Sequence, residues 1–267
     1  MTLAYDKQFA LNAICPYFTM FPLEYPMRVL RAHRRDQVGV LDPFCGRGTT
    51  LFAARTMGLA TWGIDTSPIA CAIARAKLCT VDEDRILNLA TDIMTDSSSG
   101  DIPESRFFST AYSKSTLDAI CRLRTGLLNL DRETNESTVL RAAALGCLHG
   151  PTSKDPDRQA YFSNQMPRTY APKPSYAVRY WHRHRLKPRR VDVLKALKRK
   201  IGRIAKARLP KAKTTFRHVR LGDSRLAKHL PHDGRKFSIV VTSPPLLWDA
   251  YLCPGSLAQE LVFGWAG

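Results

Sequence analysis

Short apolar runs alternate with helix-spaced stripes over the first eighty residues. Val38-Gly39-Val40-Leu41 has charge before it and a glycine-bearing turn after it, the mark of a buried strand. Thr49 to Met57 follows as a helix that Gly58 stops. Thr61-Trp62-Gly63-Ile64 reads as a second strand ending in Asp65. Pro68 then opens a helix through Ala76, at a position where its missing N–H costs nothing. Strand, helix, strand, helix in this order predicts parallel pairing with right-handed crossovers.

The pattern changes between about Val81 and Phe216. Ser97-Ser98-Ser99-Gly100 reads as a loop. Leu117, Ile120, Leu123, Leu127 and Leu128 keep helical spacing, as do Val139, Ala143 and Leu148. Phe162 to Pro174 holds too many prolines and turn formers for regular structure. Leu194, Leu197, Ile201, Ile204 and Leu209 stripe a strongly basic helix. A strand pattern returns only at Phe237-Ser238-Ile239-Val240-Val241, and no internal repeat is visible. The expectation is an α/β sheet with a mostly helical insertion: a half-sheet in 1–80, the insertion in 81–216, and a last strand and turn in 217–267.

At 267 residues the chain can bury one good core, and 44% hydrophobic residues make it globular. No apolar run approaches the roughly 18 residues of a membrane span, and Met1 to Pro26 lacks the pattern of a signal peptide. A cytoplasmic protein without a membrane partner is expected. The seven cysteines, none in a C-x-x-C pair, read as reduced thiols. His182 and His184 have arginine neighbours and no nearby acid, so no metal site is expected.

Charge alters the picture more by its placement than by its total of +18. Arg168 to Lys236 holds 23 Lys and Arg against three Asp, a balance of +20, which leaves about −2 for the remainder. Such a block suits a polyanion, because each cation that meets a phosphate releases condensed counterions. Arg179, Arg183, Arg185, Arg189, Arg190 and Lys198 are the candidate nucleic-acid contacts. Tyr176, Tyr180 and Trp181, interleaved with the arginines, suit stacking on bases, or else form a small helical core.

Two phrases carry candidate chemistry. Asp42-Pro43-Phe44-Cys45-Gly46-Arg47-Gly48-Thr49-Thr50 leaves a strand, turns on glycines and opens a helix. That geometry aims backbone N–H groups and a positive helix end at a ligand. Leu51 fills the third glycine position of a dinucleotide fingerprint, and the Gly-Lys-Ser/Thr of a P-loop is missing. Asp65, at the next strand end, can accept from ribose hydroxyls, or can cap the helix at Pro68. Thr242-Ser243-Pro244-Pro245 follows the apolar strand near the other end. Two prolines fix the backbone and remove competing donors, so nearby acceptors can face a substrate.

Together the phrases resemble the amino-group DNA methyltransferases that use S-adenosylmethionine. The resemblance covers Tyr17 to Lys77 and Leu221 to Tyr251, and implies a Rossmann-like sheet. It assigns the cofactor to Asp42, Phe44, Gly46, Gly48, Thr49, Thr50 and Asp65, adds Asp223 at the adenine, and places Phe18 of the Phe-Pro segment over the methionine end. It makes Ser243, Pro244, Pro245 and Leu246 the catalytic turn. Ser243 Oγ and the Pro244 carbonyl would accept from the two N–H groups of a flipped base, freeing the nitrogen lone pair. Leu246 departs from the family's aromatic residue, with Trp248 or Tyr251 as substitutes. The Thr-Ser-Pro-Pro start leans toward cytosine N4 over adenine N6, whereas no Pro-Cys dipeptide exists for carbon-5 chemistry.

Only 21 residues follow Leu246, where the family's sheet runs on for several strands. The resemblance therefore implies a fragment, or a partner that supplies strands. Three readings stay open: a DNA amino-methyltransferase, as in restriction-modification, an RNA base methyltransferase, and an inactive nucleic-acid-binding remnant.

Overall fold

The computed structural model describes residues 7–16, 22–33, 39–151, 153–155, 158–163, 174–207, 209, 217–231, 234 and 236–244. The chain divides into two compact units. One comprises Met1–Ile14, Thr19–Thr80 and Lys206–Tyr251, and the other Cys15–Phe18, Val81–Ala205 and Leu252–Gly267.

The first unit carries a four-stranded, all-parallel sheet: β1 (Val40–Asp42), β2 (Thr61–Asp65), β3 (Arg217–Leu221) and β4 (Ile239–Val240). The strand order is β3-β2-β1-β4. Its helices are α1 (Glu24–Ala32), α2 (Thr49–Thr56) and α3 (Pro68–Leu78), with a short 3-10 helix at Lys7–Ala13. The α/β alternation read from the sequence is present, and the architecture is compatible with a Rossmann-like sheet. Leu51 and Phe52 of α2 and Ile69 and Ile73 of α3 are fully buried, each removal from water being worth about 1.5–3 kcal/mol. Ser67 caps α3 by accepting the Ala70 N–H at 3.3 Å, so Asp65 is not its cap.

β3 departs from the sequence reading, which placed no strand there. Its residues, Arg-His-Val-Arg-Leu, bury only Val219 well, because β3 is an edge strand. Arg217 of β3 and Arg55 of α2 serve the fold. Arg217 donates to the Leu78 carbonyl at 3.5 Å and Arg55 to the Lys77 carbonyl at 2.5 Å, capping the negative end of α3. Burial, with the Arg217 charge beside it, pulls the Arg55 guanidinium down to about 10. β4 is shorter than the predicted run, and Val38 lies outside the described residues.

The second unit is helical where it is described: α4 (Glu83–Asp96), α5 (Arg106–Ala111), α6 (Lys114–Leu128), α7 (Asn135–Leu145), α8 (Pro174–Arg183) and α9 (Val193–Ile204). α4 packs on α6, α7 and α9, and α5 packs on α8. Three stripes are corrected. Leu148 and Leu209 lie beyond their helices, Leu128 is exposed, and α9 buries Val193, Ala196, Lys200, Ile201 and Ile204 alongside Leu197. No helix among the described residues is long and apolar enough to cross a membrane.

Helix α8 ends in a Schellman turn: Leu186 N–H meets the Trp181 carbonyl at 2.9 Å and Arg185 N–H the His182 carbonyl at 3.0 Å. Arg185 occupies the left-handed position at φ 51° that glycine normally fills. Arg185→Gly should therefore stabilise this unit by about 1 kcal/mol, read as a rise in thermal midpoint, while weakening attraction to polyanions.

Candidate active site at the strand ends

The two phrases 200 residues apart meet at the carboxyl ends of adjacent parallel strands. β1 pairs with β4 through Val40 opposite Ile239 and Leu41 opposite Val240. The Val241 N–H continues the ladder to the Leu41 carbonyl at 3.2 Å. One residue on, Thr242 Oγ1 donates to Asp42 Oδ1 at 2.6 Å. In this strand order the sheet reverses direction of winding between β1 and β4, and ligands of open α/β sheets bind in the crevice outside such a switch point.

Asp42 is 3% exposed and acts as a latch beneath the loop. Besides Thr242 it accepts the Phe44 N–H at 3.2 Å and a hydrogen bond from Thr50. Burial drives its carboxyl up to about 6, against the lowering effect of Thr242, Thr50 and Phe44. A folded-state value above the unfolded 3.8 means the native state binds more protons between the two. Stability should then fall as pH rises from about 4 to about 6, by up to about 3 kcal/mol. Asp42→Asn should flatten most of that dependence in denaturant titrations across the same window.

The loop between β1 and α2 is held by β2. Cys45 N–H donates to the Ile64 carbonyl at 2.9 Å, and Gly46 N–H to Asp65 Oδ2 at 2.8 Å. The other Asp65 oxygen accepts the Ser67 N–H at 2.8 Å, and burial raises this carboxyl above its ordinary value. The Thr66 N–H is a third backbone donor to this carboxylate, which leaves one of its four lone-pair sites for an outside donor. Gly48 has φ 72°, and a Cβ there would lie 2.7 Å from Ala74 Cβ, so only glycine fits between the loop and α3. Gly46 has φ 49°, and a Cβ there would meet no atom within 4 Å. Its face is open. Phe44, 39% exposed, stands beside that opening.

Thr49 and Thr50 form the first turn of α2, whose N–H groups have no intrahelical acceptors. Arg47, left aside in the sequence reading, is buried and donates to the Asn12 carbonyl of the 3-10 helix. Burial disfavours the thiolate form of the cysteines beneath the loop, pushing Cys71 up to about 12 and raising Cys45 well above its ordinary value. Ser243 and Pro244 are exposed just past the Thr242 latch. Phe18, Pro245, Leu246, Trp248 and Tyr251 lie outside the described residues.

Asp223 follows β3, which pairs with β2 through Leu221 opposite Asp65. Its carboxylate is engaged by Arg225 at 2.6–3.0 Å, which holds it down at about 2.

Comparison with known proteins agrees with this geometry. Residues 5–76, from the 3-10 helix through β1, the loop, β2 and nearly all of α3, match the profile of a DNA methylase family. The type II methyltransferase M.MjaII of Methanocaldococcus jannaschii is 33% identical over 84 residues. Over this region the chain is similar to DNA methylases. The match covers 32% of this chain and 16% of that relative. No solved structure matches the chain. The Ser243 turn lies outside the matched residues, and its association with the loop rests on the β1–β4 register.

In the helical unit Arg179, Arg183, Arg185, Arg189, Arg190 and Lys198 are all exposed on α8, the α8–α9 connection and α9. Trp181 corrects the stacking expectation. It is fully buried against Phe107 and His149, with ring centroids 5.7 and 6.0 Å away. Tyr176 is exposed, and Tyr180 lies against His184 at 4.3 Å.

Proposed function

We propose that this chain transfers a methyl group from S-adenosylmethionine to an exocyclic amino group of a base in DNA, with cytosine N4 favoured. The observation that supports it most is the Thr242–Asp42 hydrogen bond, which fastens the Ser-Pro turn to the glycine loop at the switch point of the sheet.

The residues present fit the cofactor. Gly46 leaves open space where a side chain would intrude, Asp65 keeps one lone-pair site for a ribose hydroxyl, and Phe44 offers an exposed ring. When bound, the cofactor supplies an electrophilic methyl group on a sulfonium. The protein's part is positioning. Ser243 Oγ and the Pro244 carbonyl accept from the amino group and favour a pyramidal nitrogen with a freer lone pair. The buried Asp42 latch keeps that turn at a fixed distance from the loop. Arg179, Arg183, Arg185, Arg189, Arg190 and Lys198 supply phosphate contacts. Asp223, held by Arg225, is left as a shaping residue near the adenine end.

The test is methyl transfer from tritiated S-adenosylmethionine to duplex DNA and, separately, to RNA. Label in the DNA amino groups is expected. Label in RNA alone would replace the substrate, and cofactor binding without transfer to either would leave a binding remnant.

A further inference from the structure

The helical unit contains a partly open cavity of about 70 Å³ that the strand-end site does not use. Ser153, Arg189, Arg190, Asp192, Lys195 and Arg199 line it. Four cations therefore face one carboxylate, and that carboxylate is committed: Asp192 Oδ1 accepts the Lys195 N–H at 2.9 Å as the cap of α9. Arg189, Arg190 and Arg199 form no ion pair among the described residues.

The wall is built rather than accidental. Arg199 Nη1 donates to the Gln159 carbonyl at 2.7 Å, which holds its guanidinium in place. Gln159 is itself buried, accepting the Ser153 N–H at 2.7 Å and donating to the Tyr161 carbonyl at 2.5 Å. A cavity that gathers positive charge, Arg199 held in place among it, around the start of a helix favours an anion. Guanidinium forks match the oxygens of phosphate bidentately. The volume is well above the roughly 10–15 Å³ that a single water needs, so it admits a group larger than a water.

We propose that this cavity seats one phosphate group of a nucleic-acid backbone and so fixes the register of the duplex on the helical unit. The proposal rests on the DNA reading for its source of phosphate, whereas the seat itself does not. Phosphate contacts of this kind orient a protein on the helix without reading sequence.

The experiment compares the full chain with Arg190→Gln, Lys195→Gln and the double variant. Duplex DNA binding is followed by fluorescence anisotropy across a salt series, and thermal midpoints are taken in inorganic phosphate and in chloride at matched ionic strength. The double variant should lose about tenfold in affinity and about 0.9 to 1 from the slope of log K against log salt. The wild type should be stabilised by phosphate over chloride, and the double variant should not. Arg190→Lys, which keeps the charge, should retain the slope, and equal midpoints in chloride identify variants that fold. An unchanged slope together with an unchanged phosphate effect overturns the proposal. Loss of the phosphate effect with an unchanged DNA slope would assign the seat to a free phosphate or mononucleotide, which overturns the nucleic-acid source. S-adenosylmethionine titration separates the two readings: its failure sinks the methyltransferase proposal and leaves the phosphate result standing.

Discussion

Gly48→Ala is expected to lower the unfolding free energy by about 3 kcal/mol, from two additive causes. A left-handed φ of 72° costs a residue with a Cβ about 1–2 kcal/mol. The new methyl would also sit 2.7 Å from Ala74 Cβ and 2.9 Å from its Cα, inside fully buried α3 packing, an overpacking cost of about 1–3 kcal/mol. At roughly 2–4 °C per kcal/mol for a chain of this size, the thermal midpoint should fall by about 10 °C. Gly46→Ala is the informative contrast. With φ 49° and open space it pays only the backbone term, about 1 kcal/mol, yet its methyl protrudes where the cofactor is proposed to lie. Stability should separate the two variants in one direction and S-adenosylmethionine affinity in the other. A Gly48→Ala midpoint within about 2 °C of wild type would contradict the packing account.

Ser243→Ala should slow methyl transfer by about a hundredfold to a thousandfold, the usual cost of removing one group aimed at developing charge. Cofactor affinity should stay within about twofold, because the hydroxyl is proposed to accept from the amine rather than from the cofactor. Ser243 is exposed, so a loss of fold does not account for the deficit. Rapid-quench measurement of a single turnover, beside a cofactor titration, checks both halves. Equal turnover by the variant would remove Ser243 from the chemistry and leave the Pro244 carbonyl to act alone.

The glycine loop and its two strands were legible because they obey local rules. Val40 and Leu41, and Trp62 to Ile64, are apolar runs ending in an acid and a turn, and Pro68 marks the start of α3. β3 was illegible for the opposite reason. An edge strand need bury only one side chain, and its Arg217 is spent on the Leu78 carbonyl of α3 and its histidine on the Trp62 ring, 4.2 Å away. For Trp181 the sequence left base stacking and a small helical core open, and its burial decides for the core, in keeping with the buried Ala177 four residues earlier. Lys200 on the buried side of α9 breaks the polar–apolar code, since a long stem can lie along apolar surface. The Asp42–Thr242 latch could not have been read from either phrase alone, because it exists only once the β1–β4 register is set.

The most direct test of the central claim is ultraviolet cross-linking of methyl-tritiated S-adenosylmethionine to the full chain, followed by tryptic peptide mapping. Label is predicted on the peptides spanning 36–47 or 48–55, which carry the glycine loop, or on the peptide that begins at Phe237 and contains Ser243. Label confined to peptides from 81–205 would contradict a cofactor site at the ends of β1 and β4.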